Sequence, residues 1–160
     1  MVALNIIPDR NWNIPNPTER ELKIHKLHDI VALAREHDLP ILVGIEMNKK
    51  GQKFVDDFDV PALVPVRDAF LAGAAFLYGH TLLARCAQRG FSSDWAEAYF
   101  TDRHEKNAFY EQIGRITPNT QVHRQLLQSL PIDLNPDEVL CAIKQRGDLF
   151  DLNTLTGANP

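Results

Sequence analysis

Two polar segments carry the residues that are best suited to chemistry, and each segment follows a short apolar run. Residues 3–7 and 41–45 are the two runs. The polar residues that follow them and could form a site are Asp9, Arg10, Asn11, Glu46, Asn48 and Lys53. A carboxylate and amides just beyond rigid elements can bind a hard metal ion, act as a general base or hold a polar substrate.

Glu46 is the sharpest candidate, because it lies one residue beyond the second apolar run. A carboxylate in that position can ligate a metal or accept a proton. The alternative is a structural role of Glu46 in a salt bridge or a helix cap. The spacing supports the functional and the structural interpretation equally.

The other polar candidates could likewise have a structural role instead of a functional one. Asn11 and Asn13 could donate hydrogen bonds to a substrate, although asparagines in a proline-containing loop more often form turns. Lys53 belongs to a basic turn that could meet a phosphate, but one glycine does not make a phosphate cradle, and a solvated loop is favoured. We expect Asp9 and Arg10 to line the pocket wall.

Histidines and cysteines give weaker signals. His25 and His28 have a spacing of three residues that suits a metal, but they lack a third ligand, and we predict solvated side chains. His80 interrupts an apolar helix, where a hydrogen-bonded core histidine is favoured. Cys86 and Cys141 lie in helical patterns, and we predict buried or half-buried thiols.

The elements that position the site form a βαβ unit. Residues 3–7 and 41–45 have the length and apolar character of strands, and a helix is predicted over 19–37 with a capping box formed by Thr18 and Glu21. Short connections favour parallel strands, whose carboxyl ends share one edge. Continuous apolar strands are typical of sheets covered on both faces, so further neighbouring strands are expected.

After residue 59 the pattern is helical throughout. Helices are predicted over 66–89, 94–100, 102–114 and 121–130, and a last one starts at Asn135 and ends at Gly147. The predicted fold class is α/β, a βαβ unit followed by a helix-rich extension. The predicted domains are 1–60 for the βαβ portion, 61–147 for the helical extension and 148–160 for a mobile tail.

The stretch Val43-Gly44-Ile45-Glu46-Met47-Asn48, with the strand, polar loop and helix before it, resembles the final strand-helix-strand of the polymerase-and-histidinol-phosphatase (PHP) family of metal-dependent hydrolases. The last strand of that family typically ends in Gly-Ser-Asp-Ala-His, where the acid and the histidine ligate metal. Glu46 takes the place of the Asp and Asn48 that of the His. The likeness covers about residues 2–60. It extends to about 115 through the segments 51–58 and 78–81, which resemble an uncharacterised branch with a helical C-terminal extension.

The resemblance implies that residues 1–60 are the last βαβ unit of a parallel α/β barrel, followed by a helix-rich extension, in a C-terminal segment of a phosphoesterase. A divalent metal site of Zn, Mn or Fe would generate hydroxide there to hydrolyse a small phosphorylated substrate. Glu46 would ligate the metal or accept a hydrogen bond beside it, and Asn48 would contact the substrate. The family's His-x-His segment is missing from this sequence, and Asn48 is a weak metal ligand. We therefore expect no activity from this chain alone.

The alternative is a non-catalytic binding or assembly module, in which Asn48 marks a degenerated metal site. The formal net charge is −4 and the lysines and arginines are scattered along the sequence, so the sequence predicts no basic patch that could bind nucleic acid. No membrane partner is expected, and a cytoplasmic location is the default. An uncovered sheet edge predicts contact with the rest of a barrel or self-association.

Overall fold

The computed structural model describes residues 2–46, 50 and 54–155. Two strands and seven α-helices make up this part of the chain. The strands are β1 (Leu4–Ile6) and β2 (Ile41–Val43). The helices are α1 (Asp9–Trp12), α2 (Pro17–Glu36), α3 (Arg67–Ala87), α4 (Asp94–Tyr99), α5 (Arg103–Ile116), α6 (Gln121–Ser129) and α7 (Pro136–Leu155).

β1 and β2 pair in parallel, as the sequence predicted. Leu4 is in register with Ile41, and Ile6 is in register with Val43. The amide of Gly44 extends the pairing by donating to the carbonyl of Ile6 over 2.8 Å. The carboxyl ends of both strands therefore lie at one edge of the sheet, from which the two polar segments leave.

The prediction of a barrel is wrong. The described residues are 63% helical, and their two-stranded sheet shows no barrel unit. The apolar runs suggested strands covered on both faces, but in β1 the buried Ile6 follows the exposed Asn5. This alternation is typical of a sheet covered on one face, so no further strand is required to bury the apolar residues.

The segment between β1 and α2 differs from the predicted loop. Residues Asp9–Trp12 form the short helix α1. The capping box at Thr18 is also wrong: Asn16 caps α2 by accepting from the amide of Glu19 over 3.1 Å. Pro17 then occupies the first helical position, where its missing N–H costs no hydrogen bond.

The chain divides into two compact units, residues 1–74 and residues 75–160. The boundary lies within α3, whereas the sequence analysis placed it at residue 60. The core of the first unit joins Ile6 and Ile41 to Leu27 and Val31 of α2 and Phe70 of α3.

Gly73 lets the backbone of α3 approach β2 closely in the first unit. A Cβ atom at Gly73 would lie 1.8 Å from the carbonyl oxygen of Ile41. Since no side chain fits there, α3 packs directly on the strand and helps to cover the buried face of the sheet.

The core of the second unit is helical. Tyr110 and Ile113 of α5 pack with Leu83 of α3, Leu127 of α6 and Ile143 of α7. The predicted helices are confirmed to within a few residues, but α7 continues past Gly147, where its end was predicted. Residues 156–160 of the predicted mobile tail lie outside the described residues.

The stretch Val64–Ala87 is long and apolar enough to cross a membrane, by length and composition, and 33% of its most apolar window is buried. A core helix of a soluble protein meets the same criteria. Phe70 and Leu83 of this stretch lie in the cores of the two units.

Candidate functional site

The two polar segments meet through an ion pair. The guanidinium of Arg10 in α1 donates to the carboxylate of Glu46, which lies beyond β2. The two side chains are 53% and 34% exposed, so water reaches both of them. The rule that parallel strands bring their carboxyl-end loops together thus accounts for the contact between Arg10 and Glu46.

Asp9, Asn11 and Asn13 make local contacts after β1. The Asn11 side-chain amide donates to the carbonyl of Ile7 over 2.9 Å. The Asn13 side-chain amide donates to the Asp9 carboxylate over 2.9 Å. Asn48 and Lys53 lie outside the described residues.

A hollow of about 410 Å³ opens beside β1 and α2, and we call it the β1 hollow. Its lining combines three cations, two amides and four apolar residues. They are Arg10, Lys23, Lys26, Asn5, Asn11, Ile6, Ile7, Leu27 and Ile30. None of these described lining residues is acidic, so the β1 hollow suits an anion.

Asn5 holds its amide at the rim of the β1 hollow. Its side-chain nitrogen and oxygen would each lie 3.1 Å from a Cβ atom at Gly44, so the amide packs against that glycine. Because Gly44 has no side chain, Asn5 can lie across the sheet and present its N–H groups to a ligand.

Lys23, Lys26 and Ile30 were missed by the sequence analysis, which assigned no function to the polar side of α2. They lie on neighbouring turns, at spacings of three and four residues, beside the buried Leu27. The spacing groups these residues on one side of α2. It does not show whether that side lies next to the sheet, because this depends on how α2 packs.

A second hollow next to the first has mixed charge. It measures about 340 Å³, and its charged lining residues are Asp9, Arg10, Glu19 and Lys23. Its two carboxylates offset its two cations, so it offers an anion less net attraction than the β1 hollow does.

The described residues do not fit the divalent metal that the family resemblance implies. They contain no group of three or more His, Cys, Asp or Glu side chains placed to hold a metal ion. A catalytic zinc needs three protein ligands, whereas the predicted site contributes Glu46, whose carboxylate already accepts from Arg10.

The histidines contact protein groups. His25 pairs with Asp29 over 3.0 Å on the surface of α2, and His28 lies 2.8 Å from the carbonyl of Ala62. His28 is therefore not the solvated residue that was predicted. His80 has the predicted core role, since its Nδ1 accepts from the amide of Phe91 over 2.9 Å. Burial lowers the pKa of His80.

The second unit contains a buried polar cluster with a structural role. The Tyr110 hydroxyl donates to the carbonyl of Arg89 over 2.9 Å, and the Arg89 guanidinium donates to the carbonyl of Pro131. Burial raises the pKa of Tyr110 and lowers that of Arg89. These contacts join segments of the helical core. Cys86 is half-buried as predicted, whereas Cys141 is exposed.

No protein-family model, curated protein or solved structure matches the chain. The comparisons therefore neither support nor oppose the resemblance to the PHP family.

Proposed function

We propose that this chain is the phosphate-recognising part of a PHP-like phosphoesterase and does not hydrolyse the ester alone. The observation that carries the proposal is the β1 hollow, in which Arg10, Lys23 and Lys26 surround a space without a carboxylate among its described lining residues. The proposed ligand is a small phosphate ester.

The types of side chain in the β1 hollow suit a phosphate group. Arg10, whose guanidinium also pairs with Glu46, can donate two parallel hydrogen bonds to phosphate oxygens when the ligand competes for it, while Lys23 and Lys26 act as mobile point charges. The amide of Asn5 adds a neutral donor. Since these groups come from β1, α1 and α2, the ligand would be held at the carboxyl end of a strand, where parallel folds bind their ligands.

Hydrolysis needs groups that the described residues do not supply. With Glu46 as one ligand and Asn48 as a substrate contact in the family arrangement, a Zn, Mn or Fe centre would need its remaining ligands from outside the described residues. The proposal therefore assigns this chain recognition of the phosphate group and assigns no bond-breaking step to it.

Calorimetric titration of the chain with glycerol phosphate tests the proposal. We expect saturable binding that weakens about tenfold or more in a Lys23→Gln, Lys26→Gln double variant, because two charge-assisted contacts are lost. Arg20→Gln with Arg35→Gln is the matched control, since both arginines are exposed on α2 and neither lines the β1 hollow. Equal weakening in both variants would reject a defined site.

A second candidate is the assembly module, favoured by two exposed leucines on one side of α2, between which Lys26 and Asp29 lie. Leu22 and Leu33 are 55% and 48% exposed, and their spacing of eleven residues puts them about three turns apart on one side. Antiparallel pairing of two α2 helices would set Leu22 of one copy opposite Leu33 of the other. The same pairing sets Lys26 opposite Asp29, which adds charge complementarity.

Light scattering of the purified chain tests this candidate. A dimer that becomes a monomer in Leu33→Glu would support pairing through α2. The control Val122→Glu changes an exposed apolar residue of the second unit and should leave a dimer intact. A monomeric unsubstituted chain would reject the assembly module and leave the phosphate proposal unaffected.

A further inference from the structure

The lining of the β1 hollow is divided into a charged and an apolar part along α2. Lys23 lies one turn before Leu27, and Lys26 lies one turn before Ile30 toward the carboxyl end. Residues spaced by three and four positions lie on one side of a helix, so the four side chains form a continuous strip. A ligand lying along this strip meets Lys23 at one end and Ile30 at the other.

The apolar part has a buried floor and an exposed wall. Ile6 and Leu27 are buried beneath the β1 hollow, whereas Ile30 is 44% exposed at its side. When an apolar group of a ligand covers an exposed isoleucine, apolar surface is removed from water, and this favours binding. A bare phosphate or a phosphate of a polyhydroxylated alcohol would leave that surface in water.

The size of the β1 hollow agrees with a ligand larger than phosphate. Its volume of about 410 Å³ leaves room for more than a phosphate group, and it is open to solvent. Small-molecule sites typically combine an apolar lining with a few polar groups that fix the orientation of the ligand. Here the cations and amides would fix the phosphate, and the aliphatic wall would hold the remainder.

We propose that the β1 hollow selects phosphate monoesters of apolar alcohols or phenols over inorganic phosphate and polar phosphate esters. This inference rests on the proposed function and adds the chemical class of the esterified group. The phosphate lies by Lys23, Lys26 and Arg10, and the apolar group lies along Leu27 and Ile30.

Affinities for naphthyl phosphate, glycerol phosphate and inorganic phosphate test the inference by calorimetry on the full chain. We expect naphthyl phosphate to bind about tenfold more tightly than glycerol phosphate, the order of change produced by burying a few carbon atoms. Ile30→Ser should bring the ratio of the two Kd values close to one. Leu33→Ser removes an equally exposed residue of α2 that does not line the hollow and should keep the ratio.

The outcomes separate the two proposals. Similar affinities for all three ligands would overturn the inference about the apolar group and leave phosphate recognition standing. Saturable binding of none of them would overturn the proposed function as well. A preference for naphthyl phosphate that survives Ile30→Ser and falls in Leu33→Ser would place the apolar contact outside the β1 hollow and reject the inference.

Discussion

Replacing Glu46 by glutamine should strengthen the binding of anions to the β1 hollow. In the unsubstituted chain the Arg10 guanidinium contacts the Glu46 carboxylate and also lines the hollow. A phosphate group must therefore compete with Glu46 for Arg10. Glutamine keeps the length of the side chain but removes its negative charge, which frees Arg10 for the ligand.

The solvent exposure of the Arg10–Glu46 ion pair determines how much the substitution increases the affinity for a phosphate ester. Arg10 and Glu46 are 53% and 34% exposed, so water screens their attraction. Ion pairs of this kind contribute about 0.2–1 kcal/mol. Since about 1.4 kcal/mol corresponds to a tenfold change in affinity, the substitution should lower the Kd for a phosphate ester by about 1.4- to 5-fold.

Calorimetry at low and at moderate ionic strength measures this change. Glu21→Gln is a control for net charge, since Glu21 is exposed on α2 and does not line the hollow. The gain from Glu46→Gln should exceed that from Glu21→Gln and should vanish when Arg10 is also changed to glutamine. Weaker binding in Glu46→Gln would refute the reasoning, because it would mean that the carboxylate orients Arg10 toward the ligand instead of competing for it.

Three further predictions concern the second unit and are checked by urea unfolding. Gly79→Ala should lower the free energy of unfolding by about 1–3 kcal/mol, because its Cβ would lie 2.0 Å from the carbonyl oxygen of Tyr110; a gain would mean that helix propensity outweighs the clash. Since burial depresses the pKa of His80 below 6.5, the folded state binds fewer protons than the unfolded state, and stability should fall as the pH drops below about 6.5. His80→Gln should flatten that decline, and an unchanged pH profile would exclude His80 as its source. Asn135→Ala should cost about 1 kcal/mol through the lost cap of α7, and no change would show that the cap is dispensable.

The sequence predicted the strands and their parallel pairing because both apolar runs have strand length and lie on either side of a strong helix pattern. It misplaced the cap of α2 because Thr18 and Asn16 both have capping side chains. Pro17 decides between them, since proline fits the first helical position. The barrel was inferred from the family resemblance and from continuous apolar runs, but the exposed Asn5 in β1 leaves one face without an apolar surface to cover.

The site was predictable in part. Arg10 and Glu46 come together because both follow the carboxyl ends of paired strands, and that step needed only the topology. That Lys23 and Lys26 line the β1 hollow was not predicted, because it depends on the orientation of α2 about its own axis against the sheet. Leu27 determines that rotation by packing into the core, and this tertiary contact is not visible in the spacing of polar residues.

The pairing of β1 with β2 has a consequence for synthesis on the ribosome. Leu4 is synthesised before its partner Ile41, which is added only after the whole of α2 has been made. At about 5–20 residues per second the first strand spends on the order of seconds without a partner. Its unpaired backbone groups can then pair with other chains. During that interval α2 can fold, since helices form within about a microsecond, and the nascent helix shortens the distance over which β1 must later find β2.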